Sequence, residues 1–185
     1  MKLTRLLREI GEGSSKPFDY RTQLKRRVIQ VRGGTDTETI TEKWSYSIDA
    51  YIEKDNQREP VDIILEIHRF DMRPNGIDRV VLMIDFHRDD QMWDLHSTKY
   101  ERVNSREYMF RLMSTIMKII KKEVADDLDI NTLAYYPVDD DRKAGATDMA
   151  HSQRHKLYQA YIKKAFPGAK QVQISPAVIA YRVRD

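Results

Sequence analysis

Asp148, His151 and His155 fall at i, i+3 and i+7, so one helical face would turn all three toward a divalent cation. The His-x3-His spacing is sterically able to chelate. The same residues open a helix beside Arg154 and Lys156, where capping and solvation account for them, and no metal is assigned. Asp85-Phe86-His87 with Asp89, Asp90, Asp94 and His96 forms a second His/carboxylate group. In a hydrolase such groups hold an ion or trade protons, but here they straddle a strand end and a loop, where polar residues are expected anyway. Glu66-Ile67-His68 lacks the lysine that a restriction-type nuclease would use, and no partner carboxylate stands at a convincing spacing. No serine sits in a tight Gly-flanked turn of the kind that presents a nucleophile. The chain has no cysteine, which removes thiol nucleophiles, thiolate metal sites and disulfides. Trp44, Trp93 and the ten tyrosines could stack on bases, but they fall at alternating strand positions or on helix faces, as core residues do.

The element that would position any of these groups runs from Asn104 to Tyr136. Met109, Leu112, Met113, Ile116, Ile119 and Ile120 follow the three-then-four spacing of a helix with one buried stripe. Asn104 is placed to cap it and Glu107 to complete a capping box. The run Ala125-Asp126-Asp127-Leu128-Asp129 stops it, and Asn131 to Tyr136 reads as a strand. Arg79 to His87 reads as a strand before the helix, so the series predicts a crossover with its two strands parallel.

Upstream, Gln23 to Arg32 is expected to be a first strand. Trp44 to Ile52 and Val61 to Ile67 alternate apolar with polar, and the polar stretch Lys54 to Glu59 between them predicts an antiparallel hairpin. Met72 to Asp78 is a turn. Val80 to Phe86 is nearly continuous in apolar residues, the pattern of a strand covered on both faces. Downstream, a helix from Ser152 to Phe166 turns Leu157, Tyr158, Tyr161, Ile162 and Ala165 inward, and two strands close the chain at Lys170 to Ile174 and Ala177 to Val183. The fold class is α/β: a mixed, bent, mainly antiparallel sheet with helices on its faces. Residues 17–185 form a single domain. Residues 1–16 form a short amphipathic helix and a Gly/Ser joint, with Leu3, Leu6, Leu7 and Ile10 on one side and Lys2, Arg5 and Arg8 opposite. So short a helix is not stable alone in water and must dock.

The net charge of +3 is too small to argue for nucleic acid. Its distribution says more: residues 1–32 carry net +6, 33–124 net −4, 125–141 net −6 and 142–185 net +7. Basic ends flank an acidic waist, either as solvated faces or as a surface for an acidic partner. No apolar run is long enough to span a membrane and no secretory segment is present.

The order of elements, with one helical crossover in the middle and a helix before the last strands, is similar to the GNAT-type N-acetyltransferase fold. Ser152-Gln153-Arg154-His155-Lys156-Leu157-Tyr158 followed by Phe166 looks like that family's late helix. More narrowly, the chain resembles small bacteriophage proteins of this fold. They open with Lys-Leu and a Gly-Ser-Ser-x-Pro-aromatic segment, here Gly13 to Phe18, and carry helices like Met113-Ser114-Thr115-Ile116 and Arg154-x-Lys156-Leu157-Tyr158.

In the enzymes of that family, a glycine-containing loop at the N-terminus of the central helix holds the coenzyme A pyrophosphate with backbone N–H groups. The matching stretch here, Tyr100 to Tyr108, has no glycine, two acids and bulky side chains. Arg142-Lys143-Ala144-Gly145-Ala146-Thr147 resembles the cofactor motif but comes one element too late. The resemblance therefore implies a scaffold with no cofactor and no catalytic residues. The expected function is interaction or assembly with other protein subunits in a phage particle. Leu3, Leu6, Leu7 and Ile10 would dock, and Arg26, Arg27, Arg154, Lys163 and Lys164 would form a basic rim. The alternatives are an active acyl-CoA-dependent N-acetyltransferase and a nuclease or other nucleic-acid binder.

Overall fold

The computed structural model describes residues 16–28, 40–54, 57–88, 106–135, 153–175 and 178–185. The strands are β1 (Asp19–Val28), β2 (Ile40–Lys54), β3 (Gln57–Asp71), β4 (Val80–Arg88), β5 (Thr132–Tyr135), β6 (Lys170–Ser175) and β7 (Val178–Arg182). The described helices are α1 (Arg106–Asp126) and α2 (Gln153–Ala165). The strands form one seven-stranded sheet in the order β1-β2-β3-β4-β5-β7-β6. Only β4 and β5 are parallel; every other pair is antiparallel.

The alternation in β2 and β3 drives the long hairpin. Trp44, Tyr46, Ile48 and Ala50 on one strand, and Val61, Ile63, Leu65 and Ile67 on the other, all enter one core. Lys54 pairs with Gln57, so the turn is only two residues long and Gln57–Glu59, expected in the turn, belong to β3. The link to β4 is a 3-10 turn (Arg73–Asn75) closed by Gly76 at φ 77°, a left-handed conformation that residues with a Cβ adopt reluctantly.

The stripe on α1 faces the same core, where Leu112, Met113, Ile116, Ile119 and Ile120 are buried. The helix ends at Asp126, where the aspartate-rich run predicts it to end. Arg184 donates to the carbonyl of Val124 in its last turn at 3.0 Å and to that of Leu128 just beyond at 2.8 Å. The cation also suits the negative end of the helix dipole. Asn131 then fastens three strands. Its backbone N–H donates to the carbonyl of Val80, its side-chain oxygen accepts from the Val80 N–H, and its carbonyl accepts from the Val183 N–H. The parallel placement of β4 and β5 across α1 is the one expected.

Two expectations change. The first strand begins at Asp19 rather than Gln23. Its register against β2 shifts twice, between Thr22 and Leu24 and between Leu24 and Arg27, and such bulges break the alternation that marks a strand in sequence. Both described helices also lie on one face of the sheet. Tyr161 and Ile162 of α2 join the same core as α1, and the Tyr161 hydroxyl donates to the carbonyl of Phe110 on α1. On the second face of β4, Val81 is buried, Met83 is half-buried and Asp85 is exposed, with no helix there among the described residues. The expected N-terminal helix lies outside the described residues. No described helix is long and apolar enough to cross a membrane.

Candidate interaction face

Because side chains alternate along a strand, the residues between those of the main core point to the other side of the sheet. There Val81 of β4, Ala134 of β5 and Ala180 of β7 form a second, smaller apolar cluster. Phe70, Met72, Met83, Val172, Ile174 and Val178 pack around it and remain half-buried. Among the described residues, no helix packs on this side.

A charged group borders the cluster on β2, β3 and β4. Lys43 Nζ lies 2.8 Å from Glu66 Oε1, and Glu66 Oε2 lies 3.6 Å from His68 Nε2. The sheet register explains the meeting, since Lys43 stands opposite His68, and Glu66 stands between Ser45 and Asp85. Burial, followed by the positive charge of Lys43, lowers the His68 pKa from its usual value, while Glu66 and Asp85 pull it the other way. The lysine missing from the Glu66-Ile67-His68 stretch is thus supplied by the neighbouring strand. It neutralises Glu66, which suits a paired surface group better than a carboxylate waiting for an ion. Among the described residues, no three His, Asp or Glu side chains are arranged to hold a metal.

A second constellation lies on the core side, at the start of α1. Arg111 donates from Nε to the carbonyl of Lys16 at 3.0 Å and from Nη1 to the Tyr51 hydroxyl at 2.6 Å. Its guanidinium carbon lies 4.2 Å from the ring centre of Phe18 and 4.7 Å from that of Tyr51. Arg58 covers the Tyr51 ring at 4.5 Å. The Phe18 N–H donates to Thr115 Oγ1 at 2.8 Å, and the Phe18 ring meets Tyr108 at 5.8 Å. The chain leading out of the N-terminal segment is therefore anchored at Lys16 to Phe18. Farther along the core, burial raises the phenol pKa values of Tyr135, Tyr161 and Tyr181, so these hydroxyls keep their protons.

Of the residues singled out in sequence, Leu3, Leu6, Leu7, Ile10, Asp148 and His151 lie outside the described residues, as do Asp89, Asp90, Asp94, His96 and the stretch 142–147. Arg26 and Arg27 stand on the edge strand β1, and Arg154 and His155 on the first turn of α2, with only their backbones described. Lys163 and Lys164 are exposed at the end of α2. The basic residues thus belong to two elements, the edge strand β1 and the helix α2. The hydrophobic patch and the Arg111 cluster were not foreseen. Phe70, Met83 and Ile174 each look like ordinary strand residues until the strand order places them together. No protein-family model, curated protein or solved structure matches this chain.

Proposed function

We propose that this chain is a non-enzymatic interaction and assembly protein, a structural component of a bacteriophage particle on a degenerate GNAT-like scaffold. The observation that carries the reading is the second face of the sheet: an apolar patch ringed by half-buried residues and bordered by the Lys43–Glu66–His68 group. An apolar centre with a polar rim is the anatomy of a protein interface. The strand order supports the GNAT-like part, with β4 and β5 parallel across α1 and β7 inserted between β5 and β6. The start of α1 supports the loss of the cofactor, because its first turn carries the acid Glu107 and the buried Tyr108 packed against Phe18. A nucleotide diphosphate would meet a carboxylate and two rings there. The test is sedimentation of intact particles followed by detection of the chain. Retention through a density gradient is the expected result, and recovery only in the soluble fraction would refute the reading.

The same strand order favours one second reading, an active acyl-CoA-dependent acyltransferase. It requires acetyl-CoA to raise the melting temperature, because a ligand that binds only the folded state stabilises it. An unchanged melting curve at millimolar coenzyme excludes it.

A further inference from the structure

We propose that the helix-bearing side of the sheet is a second binding surface, one that takes the phosphate backbone of double-stranded nucleic acid. The inference goes beyond the assembly reading and does not depend on it. Three observations carry it.

The first is the sorting of charge. Together α1 and α2 hold nine Lys/Arg against three acids, and α2 has no acid at all. Of the three, Glu123 is buried and bonded by the Tyr46 hydroxyl, Asp126 lies 2.6 Å from Lys122, and Glu107 belongs to the first turn of α1. Lys118, Lys121, Lys163 and Lys164 are exposed. The chain's net charge of +3 conceals this, because Asp49, Asp62, Glu66 and Asp85 fall on the other side of the sheet, among Arg21 and Lys43.

The second is placement. The two helices lie on one face of the sheet and touch, since the Tyr161 hydroxyl donates to the Phe110 carbonyl. Their outer sides therefore turn the same way. On α1, Lys118, Lys121 and Lys122 lie opposite the buried Ile116, Ile119 and Ile120; on α2, Lys163 and Lys164 follow the buried Tyr161 and Ile162. Packed helix axes stand about 8–10 Å apart, so the two rows of ammonium groups make one patch. Lys118 and Lys122 repel at i, i+4, with Lys118 steadied only by the Tyr20 ring at 5.6 Å. A polyanion laid across the patch offsets that repulsion.

The third is what the patch lacks. The aromatic residues of both helices are buried or half-buried, and the exposed large apolar residues among those described, Leu24, Ile77 and Leu128, lie off the helices. A protein partner needs an apolar anchor at the centre of the contact. A single strand of nucleic acid needs exposed rings on which its bases stack. Lysines without either suit the phosphates of a duplex, which bind cations without presenting sequence.

The test is fluorescence anisotropy of a labelled duplex of mixed sequence titrated with the full chain at several salt concentrations. Phosphate contacts from Lys118, Lys121, Lys163 and Lys164 predict a log–log salt slope of about −3.6, a loss of about 150-fold between roughly 50 and 200 mM salt. Lys121→Gln with Lys163→Gln should bring the slope to about −1.8. The matching pair of arginine substitutions should keep the wild-type slope, as should Arg21→Gln on the other side of the sheet. If the double glutamine variant melts early, Lys163→Gln decides alone, with a slope reduced by about 0.9. No binding at about 50 mM salt overturns the proposal, as does a slope that K121Q/K163Q leaves unchanged. Displacement of the duplex by polyglutamate at equal charge would assign the surface to an acidic protein, and tighter binding to phosphatidylserine vesicles would assign it to a membrane; either result overturns the nucleic-acid assignment.

Discussion

Arg69, near the end of β3, places its Nε 2.9 Å from Asp127 Oδ2 in the loop that follows α1. Both side chains are largely removed from water, at 10% and 16% exposure. Arg73, from the turn after β3, reaches Asp129 in the same loop. Together they fasten the hairpin to the end of the crossover helix, across a separation in sequence that no local pattern records. Breaking a buried pair strands the remaining charge. Arg69→Met is therefore expected to lower the unfolding free energy by about 3 kcal/mol. A double-mutant cycle with Asp127→Asn should return a coupling of about 2 kcal/mol. Urea titrations of the four proteins measure both; additive losses would show that the pair is not coupled.

The phenol of Tyr46 on β2 donates to Glu123 on α1, and both residues are buried. Removing the donor takes one hydrogen bond from a buried carboxylate, at a cost of about 2 kcal/mol. Tyr46→Phe should show this loss, whereas Glu123→Gln, which keeps an acceptor in place, should lose less. Thermal and urea unfolding check the ranking, and the reverse order would contradict this account of the bond.

His68 gives the fold an acid-sensitive element. Its folded pKa lies below the ordinary 6.5, because burial and the Lys43 charge oppose protonation more strongly than Glu66 and Asp85 favour it. The unfolded chain therefore takes up a proton first as pH falls, and stability drops as pH moves down through 6.5, levelling off only below the folded value. His68→Gln should flatten the dependence of stability on pH between about 7 and 5. Unfolding curves across that range measure it; an unchanged slope would assign the sensitivity elsewhere.

Arg111 holds the outgoing N-terminal chain by a hydrogen bond to the Lys16 carbonyl and by stacking on Phe18, and is itself braced by the hydroxyl and ring of Tyr51 on β2. Lysine keeps the charge but has no planar fork to stack or to divide between two acceptors. Arg111→Lys should cost about 1–2 kcal/mol. It should also speed hydrogen exchange at the Phe18 amide, which is bonded to Thr115. Unaltered protection at Phe18 would show that Thr115 is enough to hold the segment.

The crossover helix, the hairpin and the closing strands were legible in sequence because each rests on local periodicity. Leu112 to Ile120 keep helical spacing, and Trp44 to Ala50 alternate. What sequence concealed is contact between distant positions. Lys43 meets Glu66 only because fourteen cross-strand partners fix the register of β2 against β3. Arg184 finds the carbonyl of Val124 only after the last strand has crossed the sheet. The start of β1 was missed because two register shifts reset its alternation. The near-continuous apolar run of β4 was read as covered on both faces, and Val81 on its second face is buried. What the run did not name is its company there, Ala134 and Ala180 of the neighbouring strands.

Both borders of the sheet are poor templates for growth. On one side β1 is kinked by its bulges and carries Lys25, Arg26 and Arg27 in succession. On the other, β6 is short, exposes Lys170, Gln171 and Gln173, and has the Gln173 carbonyl occupied by the Arg79 guanidinium at 2.8 Å. Irregular, charged margins of this kind discourage ribbon-like stacking of one molecule onto the next. At high concentration such margins resist edge-to-edge pairing and the fibrils it seeds.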